Sequence, residues 1–228
     1  MANRSLLSAS SDLWARSGDD TLSRRAFLGL IGLLTTYGLG LNAALAVWAL
    51  QTGFQPGTVL LIAMLVLPFA GIFLARRAQS LPMQFLAFHL VLVPFGLMLG
   101  PILQAYIHVG GMALVSRALL LTGATSGIMM LLGLSYPQVF SRLGGVLFAS
   151  LIALVVVRVI GWFVPALGNA EWVDWLAAGI FTLYVGYDCY RAMNIPATGK
   201  NAFDVAISLY LDILNLFLTI LRLLSRRD

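Results

Sequence analysis

The segment from Asp204 to Arg222 reads DVAISLYLDILNLFLTILR, apolar enough for lipid and polar on one side only. A helix advances about 100° per residue, which puts Asp204, Ser208, Asp212, Asn215, Thr219 and Arg222 within an arc of about 80°. Two carboxylates, an amide, two hydroxyls and a guanidinium therefore share one face of a helix built mainly of Leu, Ile, Val and Phe. A charge at mid-bilayer costs at least about 2.5–3.5 kcal/mol, so such a stripe is tolerated only against protein or water. The segment is expected at the centre of a bundle, with the other helices wrapped round it.

Those other helices are legible as apolar runs near the roughly 20 residues that span a bilayer. They cover residues 26–50, 57–75, 83–106, 112–134, 144–166 and 172–193, with the striped segment, 202–224, as the seventh. Only 10% of the chain is charged, against about 25% in soluble domains. The fold class is thus an all-α polytopic membrane protein of seven transmembrane helices, the last one central. Residues 24–228 are expected to form one domain behind a flexible cytoplasmic tail, 1–23.

Seven crossings put the termini on opposite sides, and basic residues choose the side. With the amino terminus cytoplasmic, Arg4, Arg16, Arg24, Arg25, Arg76, Arg77, Arg142, Arg191 and Lys200 lie inside. Arg117, Arg158, Arg222, Arg226 and Arg227 lie outside. Nine against five favours a cytoplasmic amino terminus and an external carboxy terminus. The net charge of +5 thus reflects membrane topology rather than nucleic-acid binding. Arg24-Arg25 before an apolar run also resembles a twin-arginine export signal, but six further spans favour a first membrane helix. Gly96-x-x-x-Gly100 and Gly123-x-x-x-Gly127 read as close-packing motifs. One cysteine, Cys189, and two separated histidines, His89 and His108, give no multi-cysteine or metal-spacing motif. His89 and His108 read as histidines hydrogen-bonded between helices, with proton sensing the lesser alternative.

A second acidic group, Asp188, falls in the preceding span, in Tyr184-Val185-Gly186-Tyr187-Asp188-Cys189-Tyr190-Arg191. If that helix runs to Pro196, Asp188 lies about 10 Å from its cytoplasmic end, and Asp212 about 15 Å into the next helix. The two helices are consecutive and antiparallel, so Asp188 and Asp212 could meet, with Asp204 a rival nearer the surface. Two carboxylates in a low-dielectric site do not both ionise cheaply and can share one proton. Protonated, they would clasp two helices. Deprotonated, they would repel and offer anionic oxygens to a hard cation such as calcium. The residues alone allow an equal alternative, one aspartate at a helix cap and the other paired with an arginine. Tyr184, Tyr187 and Tyr190 are candidate donors to the carboxylates.

The stretch Ala206-Ile207-Ser208-Leu209-Tyr210-Leu211-Asp212-Ile213-Leu214-Asn215-Leu216-Phe217 resembles the signature of the Bax-inhibitor-motif membrane family. Tyr187-Asp188 resembles its element in the preceding helix, Thr122-Gly123-Ala124-Thr125-Ser126-Gly127 its fourth-helix motif, and Leu99-Gly100-Pro101-Ile102 its third-helix segment. The similarity runs over about 26–224. It implies seven helices with the last central, and an aspartate pair that senses pH and gates calcium leak down its gradient. By position the pair would be Asp188 and Asp212, which would also be the transient calcium ligands. Arg222 would stand near the far mouth, and Arg76 or Arg77 would engage the acidic pair. Asp204, Ser208, Asn215, Thr219 and Arg222 would line the path. Two departures stand out. Asp188-Cys189-Tyr190 replaces the family's frequent aspartate, threonine, glutamine, and the second span has no acidic residue.

The leading expectation is a pH-sensitive, calcium-permeable leak channel in a bacterial inner membrane, with calcium as permeant ion, no cofactor and no catalysis. The alternative is a regulator of a membrane-bound protease or other membrane complex, working through helix contacts. An intramembrane aspartyl protease is disfavoured, because Leu209-Tyr210-Leu211 precedes Asp212 where such enzymes carry a glycine-rich element. The lipid bilayer and calcium are the partners this reading names, with a membrane protease under the alternative and no nucleic acid.

Overall fold

The computed structural model describes residues 21–227, which are almost entirely helical and contain no β-strand. Most of the tail expected over 1–23 lies outside the described residues. Its end is tied down: Leu22 N–H donates to Ala197 O at 2.6 Å, and Ser23 Oγ caps the first helix by accepting from Ala26 N–H. The helices are α1 (Arg24–Thr52), α2 (Thr58–Arg77), α3 (Leu81–Ser135), α4 (Pro137–Phe140), α5 (Gly144–Phe163), α6 (Pro165–Gly168), α7 (Glu171–Asn194) and α8 (Gly199–Ser225). Five of them, α1, α2, α3, α5 and α8, are long and apolar enough to cross a membrane. α7 falls outside that set and carries Glu171, Asp174, Asp188 and Arg191.

At 55 residues α3 would be about 80 Å long if straight, more than twice the roughly 30 Å hydrocarbon core. It is not one rod. Gly111 has φ 69° and ψ −174°, a conformation that essentially only glycine adopts. Its neighbours show that the chain doubles back there. Phe88 stacks edge-on against Phe203, near the start of α8, at 5.8 Å. Leu121 shares a cleft with Leu224 and Arg227 at the other end of α8. Gly133, further on, has returned to touch the backbone of Gly186, two residues from Asp188. Residues 81–110 therefore run alongside α8, and residues 112–135 run back against it.

α8 is the most buried of the five apolar helices. Of its most apolar window 61% is buried, against 11% for α5. It contributes to three apolar clusters at once: Phe203, Tyr210, Leu214 and Leu221 pack with Phe88, Leu92 and Leu114; Val205 and Leu209 with Phe27 and Val185; Leu216 with Leu154 and Val173. A polar clamp adds direction to this packing. Tyr210 Oη donates to Asn42 Oδ1 at 2.7 Å, and Asn42 Nδ2 donates to Leu92 O at 3.1 Å, joining α8, α1 and α3. All three residues are buried, so each unmet polar atom would cost about 1–3 kcal/mol.

The two small-residue motifs behave differently. Side chains at Gly96 and Gly100 would collide with Leu45 and Ala49, so these glycines let α1 and α3 touch. Gly123 and Gly127 have nothing within 4 Å of where a Cβ would lie. Within the monomer they pack nothing, contrary to the close-packing expectation. Arg24, counted above only toward topology, also has a structural role. Its Nη1 donates to Ala192 O at 2.7 Å and Ile195 O at 3.0 Å, capping the carboxyl end of α7.

Candidate functional site

The turn Pro196 to Thr198 folds α8 back along α7, and Thr198 Oγ1 caps α8 by accepting from Asn201 N–H at 3.2 Å. This brings Asp188, one turn before the last turn of α7, beside Asp212, which lies within reach of its carboxyl group. Ser208, one turn before Asp212, also faces Asp188. Asp188 is 1% and Asp212 8% exposed. Each has one oxygen, Oδ2, that is buried and receives no hydrogen bond. Two acceptors held together without a donor have one inexpensive resolution, a proton shared between the two acids. The tyrosines do not fill that role for these oxygens. Their rings stack along α7 instead, Tyr184 on Tyr187 at 6.4 Å and Tyr187 on Tyr190 at 6.0 Å.

A cavity of about 470 Å³ opens beside the pair, lined by Arg76, Arg191, Lys200, Asp204 and Ser208 among others. Arg191 spans it: Nη2 binds Asp204 Oδ2 at 2.8 Å while Nη1 stands 3.8 Å from Asp188 Oδ1. Asp204 is exposed and engaged with Arg191, apart from the buried pair. Arg76 lines the cavity, whereas Arg77 lies over the Phe73 ring at 4.3 Å. The basic group touching the buried pair is Arg191, which charge counting alone assigns only to topology.

Further along the polar face, Asn215 Nδ2 donates to Leu211 O and Thr219 Oγ1 to Asn215 O, so both bond their own helix. Arg222 then reaches a second ionic centre. Asp174, fully buried, receives Arg158 Nη2 at 2.5 Å, Arg226 Nη2 at 2.9 Å and Arg222 Nη1 at 3.4 Å. Arg226 Nη1 also donates to Asn169 O at 2.7 Å. Three guanidiniums on one carboxylate tie α5, α7 and the end of α8 together and leave that end positively charged. Asp174 is the residue that sequence reasoning misses.

Among the described residues no three or more of His, Cys, Asp and Glu cluster as a metal site. Asp188 and Asp212 offer at most four carboxylate oxygens, short of the six to eight that calcium takes. They suit an ion in passage, completed by water or carbonyls, rather than a resident one. His89 bridges helices: Nδ1 faces Phe85 O at 2.8 Å, so it carries the proton, and Nε2 accepts from Tyr37 Oη at 2.7 Å, whereas His108 Nδ1 bonds within its own helix, to Gln104 O at 2.6 Å.

Five long apolar helices, the most buried of them polar on one face, with an acid pair at its middle and an arginine-clasped acid at its carboxyl end, define a polytopic helical membrane protein. Sequence comparison narrows the class. The family described as inhibitor of apoptosis-promoting Bax1 matches residues 24–228, and the chain belongs to it. An uncharacterized protein of Helicobacter pylori is 31% identical over 130 residues, 57% of this chain and 56% of that one. A BI1-like protein of Arabidopsis thaliana is 43% identical over 91 residues, 39% of this chain and 35% of the relative. Bax inhibitor 1 of Schizosaccharomyces pombe is 36% identical over 90 residues, 38% and 32% respectively. The alignments thus span about half or less of these curated relatives.

Proposed function

We propose that this protein is a pH-sensitive, calcium-permeable leak channel of a bacterial inner membrane, gated by Asp188 and Asp212. In this reading seven segments cross the bilayer, because α3 counts twice through its reversal at Gly111 and α7 crosses with Asp174 and Asp188 turned inward. α8 is central, the amino terminus is cytoplasmic and the carboxy terminus external. The observation that carries the reading is the pair of buried carboxylates with donorless oxygens beside a cavity of about 470 Å³. While they share a proton they hold α7 to α8. When that proton leaves, two anions in low dielectric repel, and the contact that closes the path becomes an attraction for a cation. Arg191, between Asp204 and Asp188, is positioned to move with the charge. No catalytic step and no cofactor enter.

The test is calcium entry into liposomes holding purified protein, across pH 5–8, with Asp188→Asn and Asp212→Asn beside the wild type and folding followed by gel filtration. Flux should rise with pH, and either substitution should abolish the dependence. No flux from folded wild-type protein at any pH would refute the channel. The second reading, a regulator of a membrane protease or another membrane complex, is favoured by one observation, the lipid-exposed Gly123 and Gly127 with no helix against them. Under it, Gly123→Leu would abolish capture of the partner from membranes while the aspartate variants retain it.

A further inference from the structure

The backbones of residues 112–135 and of α7 meet at Gly133 and Gly186, where even one Cβ would not fit. Beyond that contact, toward the end of α8, the two segments and α8 line a wedge of about 290 Å³. Its walls are Leu121, Thr125, Ala178 and Thr182, and its floor includes Leu216 and Ile220. At its far end stands Arg227, with the guanidinium over the Trp175 ring at 5.5 Å. Both Leu121 and Trp175 are about half exposed, so the wedge opens outward from the bundle. It lies on a different face of α8 from the polar stripe: Leu216, Ile220 and Arg227 centre about 100° round the helix from Asp212 and Asn215.

We infer that this wedge binds one anionic phospholipid, its acyl chain along Thr182, Leu216 and Ile220 and its phosphate on Arg227. Shape and charge both select this occupant. Apart from Thr125 and Thr182 the lining is apolar up to Trp175 and Arg227, and it follows α8 from Leu216 to Leu224, as a chain inserted from the bilayer would. Its open end is rimmed by a tryptophan and an arginine, the pair that anchors a protein at the headgroup level. Counting Arg227, the three arginines around Asp174, and Glu171, which accepts from Trp175 Nε1 at 3.0 Å, this end keeps a net excess of two positive charges. A net negative headgroup relieves that excess, and a zwitterionic one does not. Lipid binding here does not depend on whether calcium passes.

The measurement is native mass spectrometry of delipidated protein titrated with phosphatidylglycerol, phosphatidylcholine or glycerol phosphate. Each well-placed basic group adds about fivefold for an anionic headgroup, so one phosphatidylglycerol should bind at least about fivefold more tightly than phosphatidylcholine. Arg227→Gln should erase the preference, Arg227→Lys should keep most of it, and Ala178→Phe, filling the wedge, should abolish the bound lipid. Glycerol phosphate without a chain should not compete. Equal affinity for the two lipids, an unaffected Arg227→Gln, or competition by glycerol phosphate would overturn the proposal. So would a delipidated dimer that Ala178→Phe dissolves, because a second copy would then be the occupant.

Discussion

Asp174 offers the sharpest test of what holds the bundle together. In Asp174→Asn the side chain keeps its shape and loses its charge, while Arg158, Arg222 and Arg226 stay within 2.5–3.4 Å of it. Removing one partner of a buried ion pair costs about 3–5 kcal/mol. Hydrogen bonds to a charged group are worth about 1.5–3 kcal/mol each, but three such terms do not add here. The arginines are 27%, 43% and 29% exposed and can swing toward water once the carboxylate is neutral. About 3 kcal/mol is therefore the expected loss. At about 2–4 °C per kcal/mol for a chain of this size, the unfolding midpoint in detergent should fall by about 6–12 °C. The cause is convergence of like charges, so a second change gives the reasoning its test. Adding Arg222→Gln, which removes the partner with the longest contact, should recover part of the loss. A midpoint within about 2 °C of wild type for Asp174→Asn, or a double variant worse than the sum of its parts, would refute it.

Three further outcomes follow from the packing. Gly111→Ala should destabilise by about 1–3 kcal/mol, since alanine resists φ 69° with ψ −174°, whereas Gly123→Ala, helical and open, should be neutral or gain up to about 1 kcal/mol; equal effects in thermal unfolding would contradict the reversal at Gly111. Tyr210→Phe should cost about 1–3 kcal/mol by stranding Asn42 Oδ1, and chemical denaturation in mixed micelles reads it. Bulky substitution at Gly133 should prevent assembly, as the Gly186 backbone has nowhere to go, and loss of the monodisperse gel-filtration peak would report it.

Periodicity exposes the polar face of α8 because polar residues at helical spacing in an apolar run are rare and costly. The same logic reaches Asp188, an acid deep in an apolar stretch. It does not reach Asp174. Three positions into α7, beside Glu171, an acid looks like an ordinary companion of a helix amino terminus. Its partners come from positions 158, 222 and 226, and no local pattern links them. Arg191 is missed for a related reason: a basic residue near a helix end satisfies the topology rule before any other role is considered. The reversal in α3 is visible only as a thin boundary between two apolar runs, since Val109-Gly110-Gly111 has neither proline nor a polar turn residue. The spacing of Gly123 and Gly127 shows which residues share a face and says nothing about what, if anything, covers it.

The middle and the carboxyl end of α8 set opposite conditions for a cation. At its middle, Asp212 meets Asp188, and each holds an oxygen that no donor satisfies. Near its end stand four arginines, three on Asp174 and Arg227 over Trp175, and the carboxylates of Asp174 and Glu171 leave two of those charges uncompensated. A divalent ion about 8 Å from one uncompensated positive charge in water is repelled by about 1 kcal/mol, so two such charges slow entry by about 30-fold. If calcium passes this way, the basic end limits the flux once the aspartates are ionised. An anionic lipid seated on Arg227 would cancel part of that barrier. At pH 8, liposomes with phosphatidylglycerol should then conduct several-fold faster than phosphatidylcholine liposomes, and Arg227→Gln should narrow the difference from both sides. Equal flux in the two lipids, with the pH response intact, would leave the gate standing and disprove the coupling between the lipid and the path.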